Sequence, residues 1–298
     1  MKLYAPSYYP HFRCKADGCS HSCCIGWEIG IDEEKAALYR ALPGALGEQL
    51  RQSIREGEDG ACFALRENGR CPMLDERGLC RLILELGEGA LCEICREHPR
   101  FYNAVGTHME CGLGTACEAA AALILSWADY GAQICLGESE GEAMPTDFDA
   151  AARRAQLYAA LADRTLPLSS RLREIEQAFG APAAMDKETY RRLFSSLEYL
   201  EEGHRATLLA AYTPTLAAGA DEDGCERFFA YLVYRHASCT VCPADFCTAL
   251  GFALLLTRLF SALCAAGLSP VASAVLLSEE LEYSEENTEA ICRALFFG

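Results

Sequence analysis

The sequence is short of positive charge: 26 Lys and Arg stand against 43 Asp and Glu, a formal charge of −17 over 298 residues. A nucleic-acid backbone requires basic surface to displace its counterions, so nucleic acid is excluded as the main partner. An acidic surface attracts cations instead, a basic substrate such as an exposed lysine among them, and it also serves solubility. Long apolar runs are missing too. The longest, Leu250 to Phe260, is broken by Thr257 and Arg258 and falls short of the roughly 20 residues that a membrane span needs. The opening MKLYAPSYYPHF has neither the apolar stretch nor the small-residue cleavage site of a secretory signal. There is no low-complexity tract or block of like charge, so the whole chain is expected to fold. Finally, no Gly-rich strand-turn-helix of the Rossmann kind is present: Gly112-Leu-Gly114 precedes a helix but follows no strand run. These absences predict a soluble, cytoplasmic protein with neither membrane nor nucleic acid as partner.

Cysteine, by contrast, is abundant. Eleven of the 18 lie in residues 1–117 and seven in the remaining 181. Cytosolic thiols are kept reduced, so such a count points to metal rather than to a disulfide framework. The first group is Cys14-x4-Cys19-x3-Cys23-Cys24, four thiols within eleven residues of an irregular loop. The second, Cys71 and Cys80, flanks a turn that brings both sulfurs to one end. The third is Cys92-x2-Cys95, and the fourth is Cys117 at the start of an alanine-rich helix, where the partial positive charge of the helix end favours a thiolate. Cys111 lies nearby. Zinc and iron–sulfur both fit this spacing. Only Cys92-x2-Cys95 has the close knuckle form typical of zinc, and scattered ligands suit a cluster wrapped by several segments, so an iron–sulfur cluster, of the [4Fe-4S] type, is favoured over zinc. The spacing of radical S-adenosylmethionine enzymes is absent.

The chain divides into a cysteine-rich part, 1–136, and a helical part, 145–298, joined by the linker Gly137–Met144. In the first, Asp32 caps a helix to about Leu42, Pro43-Gly44 restarts one to about Glu56, and Asn68-Gly69 signals a β-hairpin. A further helix is expected from Thr115 to about Tyr130. In the second part, apolar residues recur at helical spacing over 147–163, 168–179, 186–200, 202–213, 223–238, 243–266, 270–282 and 285–296. The predicted class is mainly α: an irregular metal-binding N-terminal domain with a small hairpin and few strands, packed on an all-helical domain. Cys239-x2-Cys242-x4-Cys247 reads either as buried structural thiols or as a further metal site.

Three stretches carry a family resemblance: YAPSYYPHFRCKADGCSHSCCIGWEIGID from Tyr4, CPMLDERGLCRLILELGEGALCEICREHPRFYN from Cys71, and GLGTACEAAAALIL from Gly112. Over residues 4–125 the chain resembles the flagellin lysine N-methylases (FliB-type), themselves similar to small CxxCxxCC zinc- or iron-chelating domains. The resemblance implies transfer of methyl groups from S-adenosylmethionine to lysines of flagellin or a similar surface protein, by an iron–sulfur protein. It implies Cys14, Cys19, Cys23, Cys24, Cys71, Cys80, Cys95 and Cys117 as metal ligands, with Cys92 as an additional candidate.

Methylating an amine requires a neutral lysine, drawn from its proton by a base or a desolvated pocket. Tyr8, Tyr9, Trp27, Glu28, His98, Arg100, Tyr102 and Glu118 lie within the matching stretches and are candidates. Arg96 and Arg100 are read as binding the cofactor carboxylate or donating to cluster sulfurs, or else as structural salt-bridge partners. His98 is read as supporting the ligands rather than ligating. A non-catalytic reading competes with the enzyme: a cluster-binding or redox-sensing module, a metal-delivery protein, or a structural zinc protein.

Overall fold

The computed structural model describes every residue except 21, 27, 28, 58, 59, 68, 142, 145 and 298, and omits the side chain of residue 17. Trp27, Glu28 and Asn68, singled out above, lie outside the described residues. The chain is mainly α, with thirteen α-helices and two small sheets among the described residues. It divides into two compact units, residues 13–99 and residues 1–12 together with 100–298. The division differs from the expected boundary at 136, because residues 100–138 build strands that bond to the N-terminal strand.

That strand, β1 (Lys2–Pro6), opens the chain. Within the 13–99 unit, α1 (Glu33–Ala41) starts where expected: the Asp32 side chain accepts the Lys35 amide at 3.0 Å, while its other oxygen accepts the Glu93 amide at 2.8 Å. One carboxylate therefore fixes two helix starts. Next, α2 (Gly44–Ser53) stops three residues before the expected Glu56, because Ile54–Gly57 is β2 and pairs antiparallel with β3 (Gly60–Phe63). A hairpin thus forms at 54–63, where none was expected, while Asn68 of the expected Asn68-Gly69 turn lies outside the described residues. Around Gly69 the chain makes a tighter turn, the Arg66 amide bonding the Arg70 carbonyl at 2.9 Å, and the Arg66 side chain then holds the carbonyls of Pro72 and Leu74. Two short helices, α3 (Arg81–Leu86) and α4 (Glu93–Glu97), complete the unit. Its core gathers Ile29, Ile31, Tyr39, Leu50, Phe63, Met73, Leu82 and Leu91.

In the other unit, β4 (Arg100–Val105) and β5 (His108–Leu113) form a hairpin. β5 lies parallel to β1, and β1 pairs antiparallel with β6 (Gln133–Glu138), giving the sheet order β4-β5-β1-β6. More strand is present than the sequence predicts, and the expected linker begins inside β6. Between β5 and β6 runs α5 (Glu118–Ser126), which ends before the expected Tyr130 because Trp127 is extended. Its Ala119, Ala120 and Ala121 are buried and let neighbouring helices approach closely.

Eight helices follow in the predicted places: α6 (Ala150–Leu161), α7 (Leu168–Phe179), α8 (Lys187–Ser196), α9 (Glu202–Ala210), α10 (Glu222–Leu232), α11 (Pro243–Ala265), α12 (Pro270–Leu277) and α13 (Glu285–Phe297). Two of them continue as π-helical turns, α10 through Val233–Ala237 and α12 through Ser278–Glu282. The 23-residue α11 is long and apolar enough to cross a membrane, but 78% of its most apolar window is buried in the core. Sheet and helices are tied by a buried fork in which Arg154 of α6 holds both oxygens of Glu110 of β5 at 2.6 Å.

Candidate metal centre

The 13–99 unit brings thiols together through short elements. The Cys71 amide bonds the Cys24 carbonyl at 2.8 Å, which sets the first loop beside the second cysteine segment. Leu74 then bridges to Cys80 across the Asp75–Leu79 turn, which brings Cys80 back to the segment that Cys71 begins, and Cys71 feels the charge of Cys80. Cys80 and Cys92 are the residues that cap the starts of α3 and α4, and Cys95 lies one turn into α4.

Electrostatics link six of these sulfurs. Cys24 feels Cys23, Cys71 and Cys80; Cys71 feels Cys80 and Cys92; Cys95 feels Cys92, Cys24 and Cys71. Cys23 and Cys24 hydrogen-bond each other, as do Cys92 and Cys95. In each pair one sulfur ionises first while its neighbour keeps the shared proton. The bond from Cys24 and a further one from His98 hold Cys23 down to about 4, and Cys24 is pushed up. Likewise the bond from Cys95 lowers Cys92 and that from Cys92 raises Cys95. Burial raises Cys71 to about 11. Thiolates are the ligating form, and Cys23 and Cys92 are the two that are shifted towards it. His98 hydrogen-bonds the Cys23 sulfur.

The donors are soft and suit zinc or iron–sulfur alike. Cys24, Cys71, Cys92 and Cys95 would hold such a centre, flanked by Cys23 and Cys80. Pairwise S–H···S bonding stops short of full convergence: among the described residues no group of three or more His, Cys, Asp or Glu is close enough to hold a metal ion. Neutral thiols pair, and additional thiolates without a cation repel one another. Cys14 is exposed, with its sulfur accepting the Ala16 amide at 3.4 Å, and Cys19 is half-buried.

Other residues singled out in the sequence fall in the second unit. Cys117 is buried at the start of α5 as predicted, with Glu118 in the first turn. Arg96 and Arg100 are divided between the units. Arg96 pairs with Glu97 at 3.2 Å, while the Arg100 Nε donates to the Tyr9 hydroxyl at 3.0 Å and its guanidinium lies over the rings of Tyr9 and Phe12. Tyr9 in turn bonds Cys111, whose thiol burial raises to about 11. Tyr8 is buried and Tyr102 exposed. Cys242 caps α11, accepting the Asp245 amide at 3.5 Å, and Cys247 donates to the Phe179 carbonyl at 3.2 Å, so both serve as structural thiols.

One polar cluster was missed by sequence reasoning. Glu282, on the π-turn after α12, is sealed from solvent and accepts from His236, on the π-turn after α10. The two are 46 residues apart and belong to no motif. Comparison with models of known protein families, with curated proteins and with solved structures yields no match.

Proposed function

We propose that residues 13–99 bind a thiolate-ligated metal centre, an iron–sulfur cluster in preference to zinc, and that the chain uses S-adenosylmethionine to methylate lysines of flagellin or a similar surface protein. The first half is carried by one observation, the six mutually interacting thiols Cys23, Cys24, Cys71, Cys80, Cys92 and Cys95. The second half rests on the resemblance of residues 4–125. When bound, such a centre cross-links three stretches of chain and, as an iron–sulfur cluster, stores an electron.

The core of the smaller unit favours a second reading beside this one. Among the described residues thirteen buried ones make a modest core, and units of this size commonly need a staple. On that reading the centre is structural, zinc included, and the protein is a binding or redox-sensing module without catalysis.

The experiment is anaerobic purification followed by iron, sulfide and zinc analysis of the wild type, Cys71→Ala and Cys117→Ala. About four irons and four sulfides per chain, lost in Cys71→Ala, support the cluster and lead to methyl-transfer assays on flagellin. Stoichiometric zinc without colour overturns the iron–sulfur reading. Retention of metal in Cys117→Ala removes Cys117 from the ligand set that the resemblance implies.

A further inference from the structure

A groove of about 530 Å³ opens in the larger unit, lined by α7, by Arg258 of α11 and by the loops at 181–184 and 214–216. Small-molecule sites span roughly 300–1,000 Å³. Short side chains make the room. After Gly180 ends α7 in the left-handed conformation, Ala181, Ala183 and Ala184 form a wall without filling the space beside it. That loop rides close on α11, since a Cβ on Gly251 would lie 2.9 Å from the Pro182 ring. A second wall is Pro214, Thr215 and Leu216. It too is fastened to α11: the Ala217 amide donates to the Ser261 hydroxyl at 2.9 Å. The Tyr212 hydroxyl donates to the Met185 carbonyl at 3.0 Å and so ties the two loops to each other. Walls fixed in this way leave little ordering cost for a ligand that enters.

Three charged side chains line the groove: Arg173 and Glu176 of α7, and Arg258. Arg258 is out of character on its helix. Every other residue from Phe246 to Ala265 is uncharged, and the adjacent Thr257 and Leu259 are buried in the core. The Arg258 side chain is only 11% exposed, and its Nη2 donates to Glu176 at 2.7 Å. Among the described residues that is the one bond of the guanidinium, so Nε and Nη1 keep donors to spare. An ion pair taken out of water contributes little beyond what apolar side chains of the same size would. Stability alone therefore does not account for an arginine here. Arg173 is exposed and forms no ion pair among the described residues. Two arginines against one glutamate leave a surplus of one positive charge in the groove, on a chain whose net charge is −17.

We propose that this groove binds a small organic monocarboxylate with an apolar body. The carboxylate accepts from Arg258, a charge-assisted bond in a partly desolvated place, and Arg173 adds attraction from the rim. The body packs on Leu172, Pro214 and Leu216. A surplus of one charge suits a monoanion, whereas the second charge of a dianion such as phosphate would be opposed by Glu176. An ammonium is not favoured either, because Glu176 is already neutralised by Arg258. The site uses none of the cysteines and is independent of the metal centre and of methyl transfer.

The test is an NMR titration of the full chain with hexanoate, hexan-1-ol and n-hexylamine at one ionic strength, in the wild type, Arg258→Gln and Ala183→Phe. Hexanoate is expected to bind the wild type with a dissociation constant of about 1 mM or below, within reach of a ligand of its size. The alcohol and the amine should bind at least about tenfold more weakly, and Arg258→Gln should weaken hexanoate by a similar factor. Ala183 is an exposed residue of the wall, so Ala183→Phe is expected to fold, to fill the groove and to abolish binding. Absence of hexanoate binding in the wild type overturns the proposal. So does binding that survives both substitutions, or an amine that binds as well as the carboxylate. Where Arg258→Gln does not fold, Ala183→Phe and the ranking of the three ligands decide.

Discussion

Single carboxylates carry much of the local order. Asp32 accepts amides at the starts of α1 and α4, and those bonds hold it below its ordinary value of 3.8 against the opposing effect of burial. Loss of a helix cap costs about 1 kcal/mol, and a second charge-assisted bond adds a comparable amount. Asp32→Ala is therefore expected to lower the stability of the 13–99 unit by about 2 kcal/mol, read as a lower urea midpoint; an unchanged midpoint would show that neither bond matters. His236 and Glu282 make a prediction of the opposite unit. Both bind protons less readily folded than unfolded, His236 because of burial and Glu282 because of Arg235 and His236. A depressed group stabilises above its unfolded value and loses that contribution as pH falls towards its folded value. The larger unit should weaken from about pH 6.5 downward through His236, and further below 4.5 as Glu282 is protonated. Urea midpoints between pH 5 and 7 decide it, since His236→Gln should flatten the slope there.

At the scale of elements, what could be read from the sequence was what local chemistry controls. The eight helices after residue 147 stood out because their apolar faces recur every three or four residues, and α7 (Leu168–Phe179) was placed to the residue between Pro167 and Gly180. The strands did not stand out. β1 and β6 are short and mixed in polarity, and β5 is buried over Glu110–Leu113 mainly on account of its place in the sheet. The hairpin between Ile54–Gly57 and Gly60–Phe63 was missed although its strands are neighbours in sequence, because no Asn-Gly turn signal marks it; Asn68 of the signal that was read lies outside the described residues. Cys23-Cys24 and Cys92-x2-Cys95 are close in sequence, so their hydrogen bonds are local; the pairing of His236 with Glu282 is not, since only the packing of two π-turns creates it. Gly47 shows local rules and packing in conflict. In an open helix Gly→Ala stabilises by about 1 kcal/mol. Here a Cβ would overlap the carbonyl of Leu42 at the α1–α2 junction, a backbone atom that cannot rotate away. Overpacking of this kind costs about 1–3 kcal/mol or more, so the sign reverses and Gly47→Ala should lower the thermal midpoint. A raised midpoint would mean that the junction is looser than described.

The topology of the whole molecule makes the cysteine-rich unit an insertion. The chain leaves the larger unit at Phe12 and rejoins it at Arg100, and the Arg100 guanidinium lies over the Phe12 ring at 5.7 Å, so the two crossing points are neighbours. Each unit has its own core, and the two clusters of buried residues share none. Separate cores with a short junction favour separate unfolding. Leu50 and Phe260 are both fully buried, one in each core, and truncating such a side chain to alanine costs about 2–5 kcal/mol. Calorimetry should then resolve two transitions, with Leu50→Ala lowering one and Phe260→Ala the other. The proposed metal centre belongs to the smaller unit, so a chelator should act as Leu50→Ala does: binding to the folded form alone adds stability that its removal withdraws. A single transition displaced by both substitutions would show that the two cores melt as one. Two transitions of which the chelator moves only that of Phe260 would place the metal outside residues 13–99 and overturn the assignment of Cys24, Cys71, Cys92 and Cys95.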